Sequence, residues 1–196
     1  KNYKISSAFS YNFKSALTDI ILLKFFYTFW GEKIMTVAEI MQKMIAFSDG
    51  NLHDIDHFIK VWAYAKTIGE LEGLAKEDQF VLEVAAILHD IACPLCREKY
   101  GNTNGKYQEQ EGMALAADFL KCTGLTEKQT DRIVYLVGHH HTLSGVDGMD
   151  YHVLLEADFI VNAGESGYSR ESIESFIANT AKTAAGISLL KSIYGV

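Results

Sequence analysis

The stretch Val84-Ala85-Ala86-Ile87-Leu88-His89-Asp90-Ile91-Ala92 constrains this chain more than any other. An apolar run of this kind belongs in a core, yet it closes on an adjacent imidazole and carboxylate, groups that cost several kcal/mol to desolvate when they lack partners. A divalent cation satisfies a neutral His nitrogen and an ionised Asp oxygen together. One such pair holds a metal poorly, so further ligands are expected on other hydrophobic helices.

The totals narrow the classes. With 196 residues and 48% hydrophobic composition, the chain can bury a full core as one globular unit. A net charge of −7 and the lack of a basic run exclude the electrostatic footprint of a nucleic-acid binder. Three cysteines, Cys93, Cys96 and Cys122, make no even disulfide framework, and the expected compartment is a reducing cytoplasm. Cys93-Pro94-Leu95-Cys96 is half a zinc site at most, with no second pair to complete it.

Residues 1–34 differ from the rest in being aromatic and basic, and are expected to be an extension to a domain over 35–196. Their apolar part, Ala16 to Trp30, is shorter than the roughly 20 residues of a membrane span and contains Asp19 and Lys24, so no membrane partner is expected. Trp30-Gly31-Glu32-Lys33-Ile34 ahead of Met35 can be encoded by a purine-rich ribosome-binding stretch. On that reading Met35 is the natural start and residues 1–34 are translated leader.

From Thr36 onward the pattern is helical, with no internal repeat and no convincing strand pair. Thr36-Val37-Ala38-Glu39 and Thr126-Glu127-Lys128-Gln129 have capping-box spacing. Three- and four-residue apolar steps predict helices over about 52–71, 76–91, 107–121, 127–141 and 151–163, and two more between 169 and 194. The stretch from Cys93 to Lys106 reads as a long polar loop, and Thr142 to Asp150 as another.

On this framework four ligand candidates stand out: His57, His89, Asp90 and Asp158. Two imidazoles and two carboxylates suit Mn, Fe, Mg, Ni or Zn and leave water positions open. The order His, His-Asp, Asp on an all-helical chain resembles the HD-domain superfamily of metal-dependent phosphohydrolases. The likeness covers roughly residues 51–194. It rests on His57-Phe58-Ile59-Lys60-Val61, on Ala86-Ile87-Leu88-His89-Asp90-Ile91 and on Glu156-Ala157-Asp158-Phe159. The match also looks close to an uncharacterised bacterial subgroup carrying Lys99-Tyr100-Gly101, Lys106-Tyr107-Gln108-Glu109 and His139-His140-His141-Thr142.

The resemblance implies an all-α helical bundle around the metal and hydrolysis of a phosphomonoester or phosphodiester of a nucleotide or small phosphorylated metabolite. Two-metal members carry a histidine where this chain has Gln108, so one cation per chain is expected. An iron oxygenase on the same scaffold and a metal-stabilised sensor without turnover are the other readings. Asp90 or Glu109 is expected to assist proton transfer, and Lys60 with His139 or His140 to stabilise phosphate charge. Lys99 and Lys106 are expected at the substrate mouth. Apolar surface on residues 1–34 or on the C-terminal helices offers a way for subunits to pair.

Overall fold

The computed structural model describes residues 33–196, and the extension and its leader reading fall almost entirely outside the described residues. Among the described residues the fold is all helix, with no strand. The described residues form nine helices in order: α1 (Val37–Phe47), α2 (Leu52–Leu71), α3 (Lys76–Leu88), α4 (Cys93–Tyr100), α5 (Gly105–Phe119), α6 (Glu127–Val137), α7 (Met149–Glu165), α8 (Arg170–Asn179) and α9 (Ala184–Tyr194).

Local signals explain the helix starts. Thr36 and Glu39 close a reciprocal capping box on α1, and Thr126 with Gln129 does the same for α6. Asn51 caps α2 by accepting from the Asp54 N–H at 3.2 Å. Helix α2 occupies the expected 52–71, whereas α3 stops at Leu88, short of the expected Ile91. Its last carbonyls turn to other donors, because His89 Nδ1 donates to the Ala86 oxygen and Ile91 N–H to that of Leu88. His89 and Asp90 therefore sit just beyond the helix, at a bend.

The expected loop from Cys93 to Lys106 is corrected by the structure. Most of it is helix α4, with Pro94 in the first turn and Gly101 ending it in the left-handed conformation at φ 71°. A first-turn proline forfeits no helical hydrogen bond, and glycine takes that φ without a Cβ clash. Only residues 101–104 separate α4 from α5.

Helix α3 is the axis of the molecule. It packs against α1, α2, α6 and α7, and every residue from Val81 to Leu88 is buried. The stretch Lys76–Tyr100 has the length and apolarity of a membrane span, but most of it is enclosed by other helices. The buried carboxylate within α3, Glu83, accepts from Trp62 Nε1 at 2.9 Å, Gln79 Nε2 at 3.0 Å and Lys66 Nζ at 3.3 Å. A buried carboxylate with three donors is satisfied where it stands.

Helix α7 packs across α2 and α3 and is buried along most of its length. Two of its carboxylates do different work. Asp158 faces the bend after α3, while Glu156, 1% exposed, points towards the C-terminal helices. There it accepts the N–H groups of Lys182 and Thr183 at 2.6 and 2.9 Å, and the Thr183 hydroxyl. A Cβ on Gly186 would fall 1.9 Å from Glu156 Oε2, so α9 can dock this closely only with glycine at that position.

Candidate metal centre

Three helices bring four side chains to one point. His57 comes from the second turn of α2, His89 and Asp90 from the bend after α3, and Asp158 from the middle of α7. His57 Nε2 lies 3.2 Å from His89 Nε2 and 3.3 Å from Asp158 Oδ1. His89 Nε2 lies 3.4 Å from the same Asp158 oxygen. Asp90 Oδ2 is 3.6 and 3.7 Å from the two imidazole nitrogens. Donors around a cation with bonds of about 2.1 Å stand about 3.0–3.5 Å apart, so the spacing matches a coordination shell.

The far sides of the rings fix which nitrogen faces inward. His89 Nδ1–H donates to the Ala86 carbonyl at 2.8 Å, and His57 Nδ1–H to Glu165 Oε2 at 2.8 Å. Each Nε2 thus presents its lone pair to the centre. Two lone pairs 3.2 Å apart repel unless a positive charge lies between them, either a proton or a cation. Burial pulls the His57 pKa down, but the bond to Asp158 and the charges of Asp90 and Glu165 outweigh it and raise the pKa to about 9. Burial pushes the Asp90 and Asp158 carboxyls up, and the surrounding imidazoles more than reverse this and hold both well below the usual range. This donor set fits a divalent cation.

A second group adjoins the first. The other Asp90 oxygen, Oδ1, is 3.4 Å from His140 Nε2, and Asp90, His140 and His141 can also converge on one ion. His140 Nδ1–H donates to the Val137 carbonyl at 2.8 Å, leaving its buried Nε2 without a hydrogen-bond partner. The expectation of a single cation rested on Gln108. The structure puts His141 beside His140, so a second group of donors exists without Gln108. That glutamine also lines the cleft; its Nε2 donates to the Thr103 carbonyl at 2.8 Å, and its buried Oε1 has no partner.

The other expected site residues scatter. Of the three histidines, His140 and His141 line the cleft and His139 does not. His139 stacks on Tyr135 with ring centroids 4.2 Å apart and donates to the Tyr135 carbonyl, because consecutive residues in the turn after Gly138 cannot all face one way. Lys60 is turned to Glu165 Oε1 at 3.0 Å. Lys99 pairs with Glu111 at 2.7 Å, and Lys106 is exposed; neither lines the cleft. Glu109 accepts from the His141 N–H at 3.0 Å and the Thr142 hydroxyl at 2.9 Å, so it holds the turn that carries the cleft histidines.

Three participants escaped the sequence reading: Glu165, Asn162 and Arg97. Glu165 joins His57 to Lys60, and it lies two turns beyond Asp158, with Asn162 between them donating to Asp158 Oδ1 at 2.8 Å. Stepping four and seven residues from Asp158 along one helical face would have flagged both. Arg97 lines the cleft from α4, a helix read as loop. The cleft encloses about 490 Å³ over the metal donors, with Phe159 and Tyr168 among its apolar lining.

With fold and donor geometry in place, the comparison with known proteins is direct. Residues 54–177, more than half of the chain, match the model of the HD domain, and the chain belongs to that family. Its fold is similar to the crystal structure of a predicted HD superfamily hydrolase from an uncultured Thermotogales bacterium. The TM-score is 0.60 at 21% identity, over 86% of this chain and 90% of that one. No curated protein matches the sequence.

Proposed function

We propose that the protein is a metal-dependent phosphohydrolase that cleaves a phosphomonoester or phosphodiester of a nucleotide or other small phosphorylated metabolite. The observation that carries this reading is the convergence of His57, His89, Asp90 and Asp158, with Nε2 of both imidazoles turned inward by the bonds their Nδ1 atoms make. The solved structure of similar fold is that of a predicted HD superfamily hydrolase, in keeping with this reading.

A divalent cation bound by these four residues supplies Lewis-acid polarisation of a phosphate oxygen and lowers the pKa of water near it. The residues themselves do the rest. Glu165 and the Ala86 carbonyl hold the imidazoles in one tautomer. Asp90 shows one oxygen to each donor group, which places an ionised acceptor in the cleft for a proton from the attacking water. The native count of cations is one or two according to whether the Asp90, His140 and His141 group is filled. The cleft volume suits a nucleoside monophosphate or a sugar phosphate, and the exposed Tyr168 ring offers a flat apolar body a surface to stack on.

Elemental analysis of the purified protein, with a phosphate-release screen over nucleotides and sugar phosphates, tests the reading. Metal bound in wild type, and phosphate release abolished in Asp90→Ala, are the expected results. Two irons with no phosphate release would indicate an oxygenase, and bound metal with no turnover a sensor.

A further inference from the structure

Four carboxylates line the cleft, Asp54, Asp90, Asp158 and Glu165, and a phosphate ester is itself an anion. A cation at the metal donors offsets part of that charge, but phosphate oxygens turned away from it need donors of their own. The sequence offered three lysines for the task, and none lines the cleft. Among the described residues lining it, Arg97 is the one Lys or Arg side chain.

We propose that Arg97 is the anion-binding residue of this cleft, and that its guanidinium fork receives the phosphate oxygens of the substrate. The proposal rests on the phosphohydrolase reading for the identity of the anion. Arg97 approaches from α4 and pairs through Nη2 with Asp54 in the first turn of α2. Asp54 is itself fixed, since Asn51 Nδ2 donates to it at 2.8 Å. The fork is therefore aimed by a residue that cannot swing away. Its Nε and Nη1 donate to no described residue, and the side chain remains 40% exposed at the cleft.

A planar fork with free N–H groups in one plane matches two oxygens of a phosphate, a geometry that a lysine ammonium does not offer. Asp54 plays the part of an orienting partner rather than a competitor, because it takes Nη2 alone and leaves the Nη1 and Nε donors for the ligand.

Calorimetric titration of manganese-loaded protein with inorganic phosphate tests the assignment without turnover. Arg97→Met is expected to weaken phosphate binding by about tenfold or more, with metal content unchanged. Arg97→Lys, which keeps the charge and loses the fork, is expected to fall in between and decides the matter if the Met variant does not fold. On any ester the wild type hydrolyses, Arg97→Met should raise KM more than it lowers kcat. Unchanged phosphate affinity in a folded variant, or no phosphate binding by the wild type, overturns the proposal. Arg97-dependent phosphate binding without hydrolysis of any ester would leave the anion site standing while the hydrolase reading fails.

Discussion

His57, His89 and His140 are each anchored on the side away from the candidate metal centre, and those anchors decide how well the donors hold an ion. Glu165 is the weakest-looking of them and the most informative. It ties His57 Nδ1 to Lys60 and touches no other proposed ligand. Glu165→Ala is expected to weaken cation affinity by about ten- to a hundredfold, read by chelator competition, and Glu165→Gln, which keeps an acceptor for Nδ1–H, should recover much of it. The His57 pKa of about 9 sets a pH dependence with a definite sign. At neutral pH the cation must displace the His57 proton, so apparent affinity should rise about tenfold per pH unit until about pH 9, with proton release visible in calorimetry across buffers. The cation-free protein should behave oppositely in melting experiments. A pKa raised in the folded state stabilises fully below the unfolded value near 6.5, and that stabilisation fades as pH climbs towards 9. The four residues that converge at the candidate site were legible in the sequence because each interrupts an apolar pattern that otherwise demands core. His141 and Arg97 were not, since a polar residue at a helix end or in a presumed loop breaks no pattern and only packing shows where it points; Glu165 had a signal only in its seven-residue step from Asp158.

At the scale of helices, periodicity and caps placed α2, both capping boxes and the two C-terminal helices. The ends were less legible because tertiary hydrogen bonds decide them. Helix α3 stops where His89 bonds back to Ala86, and the turn at Gly138 sends His139 and His140 to opposite sides. Helix α4 was missed although Pro94 and Gly101 bracket it, because at eight residues it is too short to show a helical apolar period. Helix α7 shows what the closing Glu-Ala-Asp stretch accomplishes structurally. Asp158 turns to the metal donors and Glu156 fastens the start of α9. Glu156→Ala would strand the buried Thr183 N–H and hydroxyl and the partly buried Lys182 N–H, and a loss of about 3–5 kcal/mol is expected, a fall in melting temperature of roughly 10 °C or more. Thermal melts of that variant against Glu156→Gln, which keeps one acceptor, check the assignment.

For the whole molecule, membership of the HD domain family accounts for the all-helical frame, and the particulars of this chain lie in what lines the cleft. His57 and His89 are separated by 32 residues, and Asp158 arrives much later in the chain. The donors meet only when α7 has docked across α2 and α3, and such distant contacts form late because their loops must close first. A cation therefore has nothing complete to bind in a half-folded chain. In stopped-flow denaturant experiments, manganese should leave the folding rate nearly unchanged and slow unfolding, which checks this directly. The ion then serves as a latch rather than a template. A cell starved of the metal would still produce the folded chain, but each molecule would come undone sooner, and its lifetime would report the supply of the ion.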